Sequence, residues 1–149
     1  MEQGQKLLKT VLFCWACLFS VSLFSVGTLA DIVVVVNPQL KVKALTTQQI
    51  SDIFLGKTNE LPTGEPITPV LQNEGGTIHE EFNLQVHGRD KKQLRAYWSR
   101  LVFTGKGNPP PYFDDAEEVK DQISDNPEII SYIDSSEVDE KVKVVGHYP

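Results

Sequence analysis

A mixed α/β fold, with a mainly parallel sheet flanked by helices, is predicted by three observations. Ile32–Val36 is an unbroken β-branched run of the kind that fills a strand covered on both faces, as in mainly parallel sheets. Strand and helix signals alternate after it to the end of the chain. Helix starts carry side-chain capping signatures at Thr46, Thr77 and Asp90.

Taken in order, Asn37-Pro38 ends the first strand. Thr46 and Gln49 have capping-box spacing, and the helix after them puts Ile50, Ile53 and Phe54 on one face before Gly56 stops it. Residues 57–66 form a polar loop. Ile67–Leu71 reads as a second strand, with Pro69 marking an edge or a strand end. Thr77-Ile78-His79-Glu80 reads as another capping box, opening a helix to about Val86. Asp90 caps the next helix. Along it Leu94, Tyr97, Trp98, Leu101 and Val102 recur at helical spacing, which predicts a buried face containing Trp98. Gly105 ends that helix, and a loop with Pro109-Pro110-Pro111 follows. A helix runs from Asp114-Asp115 to about Ser124, Asn126-Pro127 breaks it, and Ile129–Ile133 and Val142–Val145 are short strands.

Residues 1–30 have the pattern of a secretory leader: Lys6 and Lys9, an apolar run from Thr10 to Val26, and small residues in Thr28-Leu29-Ala30. The run is near the shortest length that spans a membrane, so length does not decide between a leader and an anchor. The site ending at Ala30 favours cleavage. Removing 30 of 149 residues leaves 119, the size of one domain, with a formal charge of −7 from 12 basic and 19 acidic residues. That balance argues against nucleic acid as a partner. Residues 31–149 contain no cysteine, so they form neither a disulfide nor a thiolate metal site.

The candidate site is the stretch from Leu71 to Phe82. A strand end, Gly75-Gly76 and a helix start present backbone N–H groups that have no partner inside the helix. Glycine lets the backbone approach a bound oxyanion closely. His79 and His87 are eight residues apart, two turns along one helix, which is too far for a shared ion, so they are expected to be solvated or capping groups. Lys91, Lys92, Arg95 and Arg100 put positive charge on the Trp98 helix. There is no nucleophile elbow, no thiol and no carboxylate pair pinned by a motif. The expectation is a binding protein with no enzymatic activity, no metal and no cofactor.

Several segments together resemble the phosphate-binding protein of phosphate ABC transporters, a type II periplasmic solute-binding protein. They are Ile53-Phe54-Leu55-Gly56-Lys57, the strand Pro66–Val70, the glycine turn and helix to Phe82, Tyr97-Trp98, Gly105-Lys106-Gly107, and Asn126–Ile133. The resemblance covers most of Ile50–Ile133 in order. It implies one periplasmic-binding-protein-like lobe over residues 31–149, where the family has two. It also implies a ligand motif, Arg-x-x-Gly-Ser-Gly-Thr. Aligned through Phe82, the arginine falls on Gln72 and the serine on Gly76, with Thr77 and Ile78 at the following glycine and threonine. The implied ligand residues are therefore Gln72, Gly75, Gly76, Thr77 and Ile78, without the family's bidentate guanidinium. The resemblance implies a periplasmic protein that recognises phosphate or a similar oxyanion weakly, for transport or sensing. The alternative is a degenerate lobe that docks onto a membrane receptor, transporter or sensor, or pairs as a homodimer, through its uncovered face.

Overall fold

The computed structural model describes residues 30–149; residues 1–29, on which the leader reading falls, lie outside the described residues. Among the described residues no helix is long and apolar enough to cross a membrane.

Among the described residues there are six strands, β1 (Ile32–Val36), β2 (Thr68–Pro69), β3 (Leu71–Gln72), β4 (Tyr112–Phe113), β5 (Ile129–Asp134) and β6 (Lys143–Tyr148). The helices are α1 (Thr47–Phe54), α2 (Thr77–Phe82), which runs on into a π turn over Asn83–His87, α3 (Lys91–Phe103) and α4 (Ala116–Asp125). Four strands form a mixed sheet in the order β2-β5-β1-β6, and β3 pairs with β4 in a separate parallel ribbon.

β1 is covered on both faces, as its composition requires, but it pairs antiparallel with both neighbours. An apolar run reports that two faces are covered; it carries no information about strand direction. Ile32, Val34 and Val36 pack with Ile50, Phe54 and Phe82 on one face, while Val33 and Val35 pack with Val119 and Ile123 on the other. The first face is the more aromatic. Phe82 stacks on Tyr132 with centroids 3.9 Å apart and meets Phe54 edge-on at 4.9 Å. Each such pair contributes about 0.5–1.5 kcal/mol beyond its burial.

The expected second strand divides at Val70. Thr68–Pro69 lies at the edge of the main sheet, where proline's missing N–H costs no ladder bond. Leu71–Gln72 crosses to the β4 ribbon. The last strand is longer than its apolar core predicts and reaches Tyr148. The Thr46 and Asp90 capping boxes are both formed. The Thr77 box is not: Gly76 is the N-cap and makes no side-chain cap, so Thr77 is the first helical residue.

The face of α3 departs furthest from expectation. Only Leu94 is buried along this 13-residue helix. Trp98 is half-buried against Gly56, and Phe103 is 92% exposed. Helical spacing identifies an apolar stripe, but it does not identify what covers the stripe.

Candidate functional site

The glycine turn hangs between β3 and α2. The Asn73 N–H donates to the Phe113 carbonyl (2.9 Å), which ties the turn to the β4 ribbon. Gly76 N–H then donates back to the Asn73 carbonyl (3.0 Å). Gly75 has φ +85°, a conformation that strains any residue with a side chain. A Cβ on Gly76 would lie 2.8 Å from Asn73 Nδ2, so a larger residue here would have to push the Asn73 side chain aside. Beyond them, the N–H groups of Thr77, Ile78 and His79 have no partner among the described residues. The Lys91 ammonium completes the surroundings, 3.8 Å from where a Cβ on Gly75 would stand. Gly75, Gly76, Thr77 and Ile78 are thus contiguous at one turn, with one cation beside it and the Glu74 side chain exposed nearby.

Gln72 is placed differently. It is buried, and its amide is oriented by two hydrogen bonds: the oxygen accepts from Ala116 N–H (2.9 Å) and the nitrogen donates to the Tyr132 carbonyl (3.2 Å). Its side chain serves the N-terminus of α4 and the edge of β5. The oxygen satisfies one of the helix-end donors that would otherwise be unpaired.

Beneath the turn lies a buried polar chain. His79 Nδ1 and the Tyr132 hydroxyl are 2.6 Å apart, and Asn83 Nδ2 is 3.0 Å from His79 Nε2. Asn83 donates to Nε2, so the neutral ring carries its proton on Nδ1 and donates it to Tyr132. Tyr132 in turn donates to the Gln72 carbonyl (3.3 Å). Burial holds the His79 pKa below its ordinary value and raises that of Tyr132. His87 is partly buried, with Nδ1 2.9 Å from the Ser51 hydroxyl, and burial brings its pKa down to about 4. The expectation of solvated or capping histidines at 79 and 87 is therefore corrected. His79 is a buried polar group and His87 a partly buried one, because α2 and the π turn after it direct them under α3 and toward α1. Nothing in the spacing points to this, since Tyr132 is 53 residues from His79. Among the described residues, no group of three or more His, Cys, Asp or Glu is placed to hold a metal ion.

A groove of about 580 Å³ opens beside the turn. His79, Asn83 and His87 form its floor. Leu94, Trp98, Val102 and Phe103 of α3 form one wall, and Pro109, Pro110 and Tyr112 the other. Lys91, Arg95 and Glu74 also line it. Its size is that of a small-ligand cleft, but it is largely open to solvent.

No family model and no curated protein matches the chain. Solved structures do. A protein from Clostridium perfringens, described as a phosphate ABC transporter substrate-binding protein and solved with bound phosphate, superposes with a TM-score of 0.61 at 25% identity. That match covers 78% of this chain and 44% of the other. An ABC-type phosphate transport receptor from Vibrio cholerae superposes at 0.61 and 19% identity, over 78% and 47% of the two chains. PstS from Borrelia burgdorferi superposes at 0.53 and 11% identity, over 80% and 49%. The chain thus spans less than half the length of each of these proteins. In fold, the chain is similar to part of these substrate-binding proteins of phosphate ABC transporters.

Proposed function

We propose that residues 31–149 form a single-lobe, periplasmic binding protein that recognises phosphate or a similar oxyanion at Gly75–Ile78, without chemistry, for transport or sensing. The observation that carries this reading is the convergence of three unpaired backbone N–H groups with the Lys91 ammonium on one glycine turn. Backbone donors at a helix start and one cation suit an anion. The strength is modest. The dipole contributes about 0.3–1 kcal/mol and a charged hydrogen bond about 1.5–3 kcal/mol. Gln72 is engaged elsewhere, and Glu74, exposed beside the turn, adds negative charge that an anion must overcome. A dissociation constant on the order of 1 mM corresponds to about 4 kcal/mol, which these contacts can supply.

Isothermal titration with phosphate and sulfate tests the reading. Millimolar binding is expected in the wild type. Thr77→Pro should weaken it by removing one donor at a helix position that tolerates proline. Lys91→Gln should weaken it about tenfold, the loss of one charged contact. If wild type binds neither anion at 10 mM of ligand (about 3 kcal/mol or weaker), the turn is scaffold only.

A second reading is favoured by a separate observation. Phe103 and Val102 project from a helix that the domain barely covers. Such a face suits an interaction module for a membrane receptor, transporter or sensor.

A further inference from the structure

Charge in this protein is segregated. Residues 89–106, which contain α3, carry six Lys and Arg against one acid, Asp90. The rest of residues 31–149 carries six basic and eighteen acidic residues. With so many carboxylates present, ion pairs to α3 would be easy to form. Among the described residues, however, none of the six cations from Arg89 to Lys106 is in an ion pair, whereas Lys57, Lys120 and Lys141 all are. Arg89 instead lies over the Tyr97 ring, 5.0 Å from its centroid. The basic helix is also the one with a single buried residue, and its C-terminal end carries Val102 (50% exposed) and Phe103 (92% exposed).

We propose that the groove along α3 docks an acidic segment of another protein. That segment would seat an apolar side chain between Trp98, Phe103 and Pro110 and place carboxylates at Arg95 and Lys91. This inference rests on the interaction-module reading and supplies the partner's chemistry. It shares Lys91 with the anion turn, so phosphate would compete for that contact, but the apolar anchor and Arg95 do not depend on the turn. Two other occupants fit less well. A face-to-face dimer across a two-fold axis would set six cations against six. An anionic bilayer is flat, whereas the apolar side chains here line a concavity walled by Pro109 and Pro110, and the eighteen acids elsewhere would oppose adsorption. An acidic segment with an apolar anchor satisfies both the charge and the shape, since buried aromatic and aliphatic anchors supply most interface energy and complementary charge supplies orientation and encounter rate.

The test is selection from a random dodecapeptide display library on the purified protein, followed by fluorescence anisotropy of the enriched peptides. The expected consensus is an aromatic or aliphatic anchor flanked by two or more Asp or Glu. Binding should weaken about tenfold or more in Phe103→Ser and in Arg95→Glu, both at exposed or groove-lining positions that leave the core intact. It should also fall with added salt. Enriched peptides that lack acids, or that bind both variants as tightly as wild type, would overturn the partner chemistry while leaving an interaction module in place. An unenriched library would overturn both. A dimer in sedimentation that Phe103→Ser dissociates, or phosphatidylglycerol vesicles that bind the protein when no peptide does, would overturn the acidic-segment partner.

Discussion

Lowering the pH from 7 to 5 should destabilise this protein by about 2 kcal/mol through His87 alone. Its ring packs edge-on with Phe82, with centroids 5.4 Å apart and planes at 89°, and it bonds the Ser51 hydroxyl. Burial first, then the positive charges of Arg89, His79 when protonated, and Lys57, bring its pKa from 6.5 to about 4. The unfolded chain therefore binds the proton more readily than the native one. The stabilisation is complete above about pH 6.5, declines as the pH falls, and is lost by about pH 4, where the total is about 3 kcal/mol at 1.36 kcal/mol per pH unit. His79, depressed in the same direction by burial, adds to the loss. The carboxylates whose pKa values are lowered, among them Asp31, Asp52 and Glu117, titrate mainly below this window. Urea unfolding at pH 7 and pH 5, at fixed ionic strength and followed by circular dichroism, measures the difference. The control is His87→Gln, which keeps a polar partner for Ser51 and does not titrate. Wild type should lose about 2 kcal/mol more than this variant between the two pH values. Equal losses in both proteins would refute the assignment to His87.

Gln72→Leu should cost about 2–4 kcal/mol in chemical denaturation, because it strands the Ala116 N–H and the Tyr132 carbonyl, each worth about 1–3 kcal/mol when left unpaired; an unchanged midpoint would show that the amide does not serve α4. Trp98→Ala should cost only about 1–2 kcal/mol, less than the roughly 3–5 kcal/mol of a fully enclosed aromatic, because the residue is only partly buried; a loss above that range would mean α3 is better covered than its surface shows. Gly146→Ala should cost about 1–3 kcal/mol by overpacking, since a Cβ there would stand 2.6 Å from Ile50 Cδ1 in the core; a stability within error of wild type in a urea melt would refute the close packing.

Local chemistry was legible in the sequence wherever the cause is local. The Thr46 and Asp90 boxes, the stops at Gly56 and Gly105, the break at Asn126-Pro127 and the edge placement of Pro69 each follow from a few adjacent residues, and each appears in the structure. The contiguity of Gly75, Gly76, Thr77 and Ile78 is local in the same sense. The Thr77 box failed because the competing geometry is also short-range: Gly76 takes the cap position, which leaves Thr77 inside the helix, where its side chain cannot cap.

What the tertiary structure decided has a long-range cause. The direction of β1 depends on β5 and β6, about a hundred residues away, and a doubly covered strand reads the same whichever way its neighbours run. The inward turn of His79 depends on Tyr132, and the use of Gln72 depends on where the start of α4 comes to rest. Polar side chains carry no periodic signal, so their burial becomes visible only when a distant partner is placed beside them. The exposure of α3 is the clearest case. Its apolar spacing is that of a buried face, and only the assembled domain shows that no element of residues 30–149 packs over most of it.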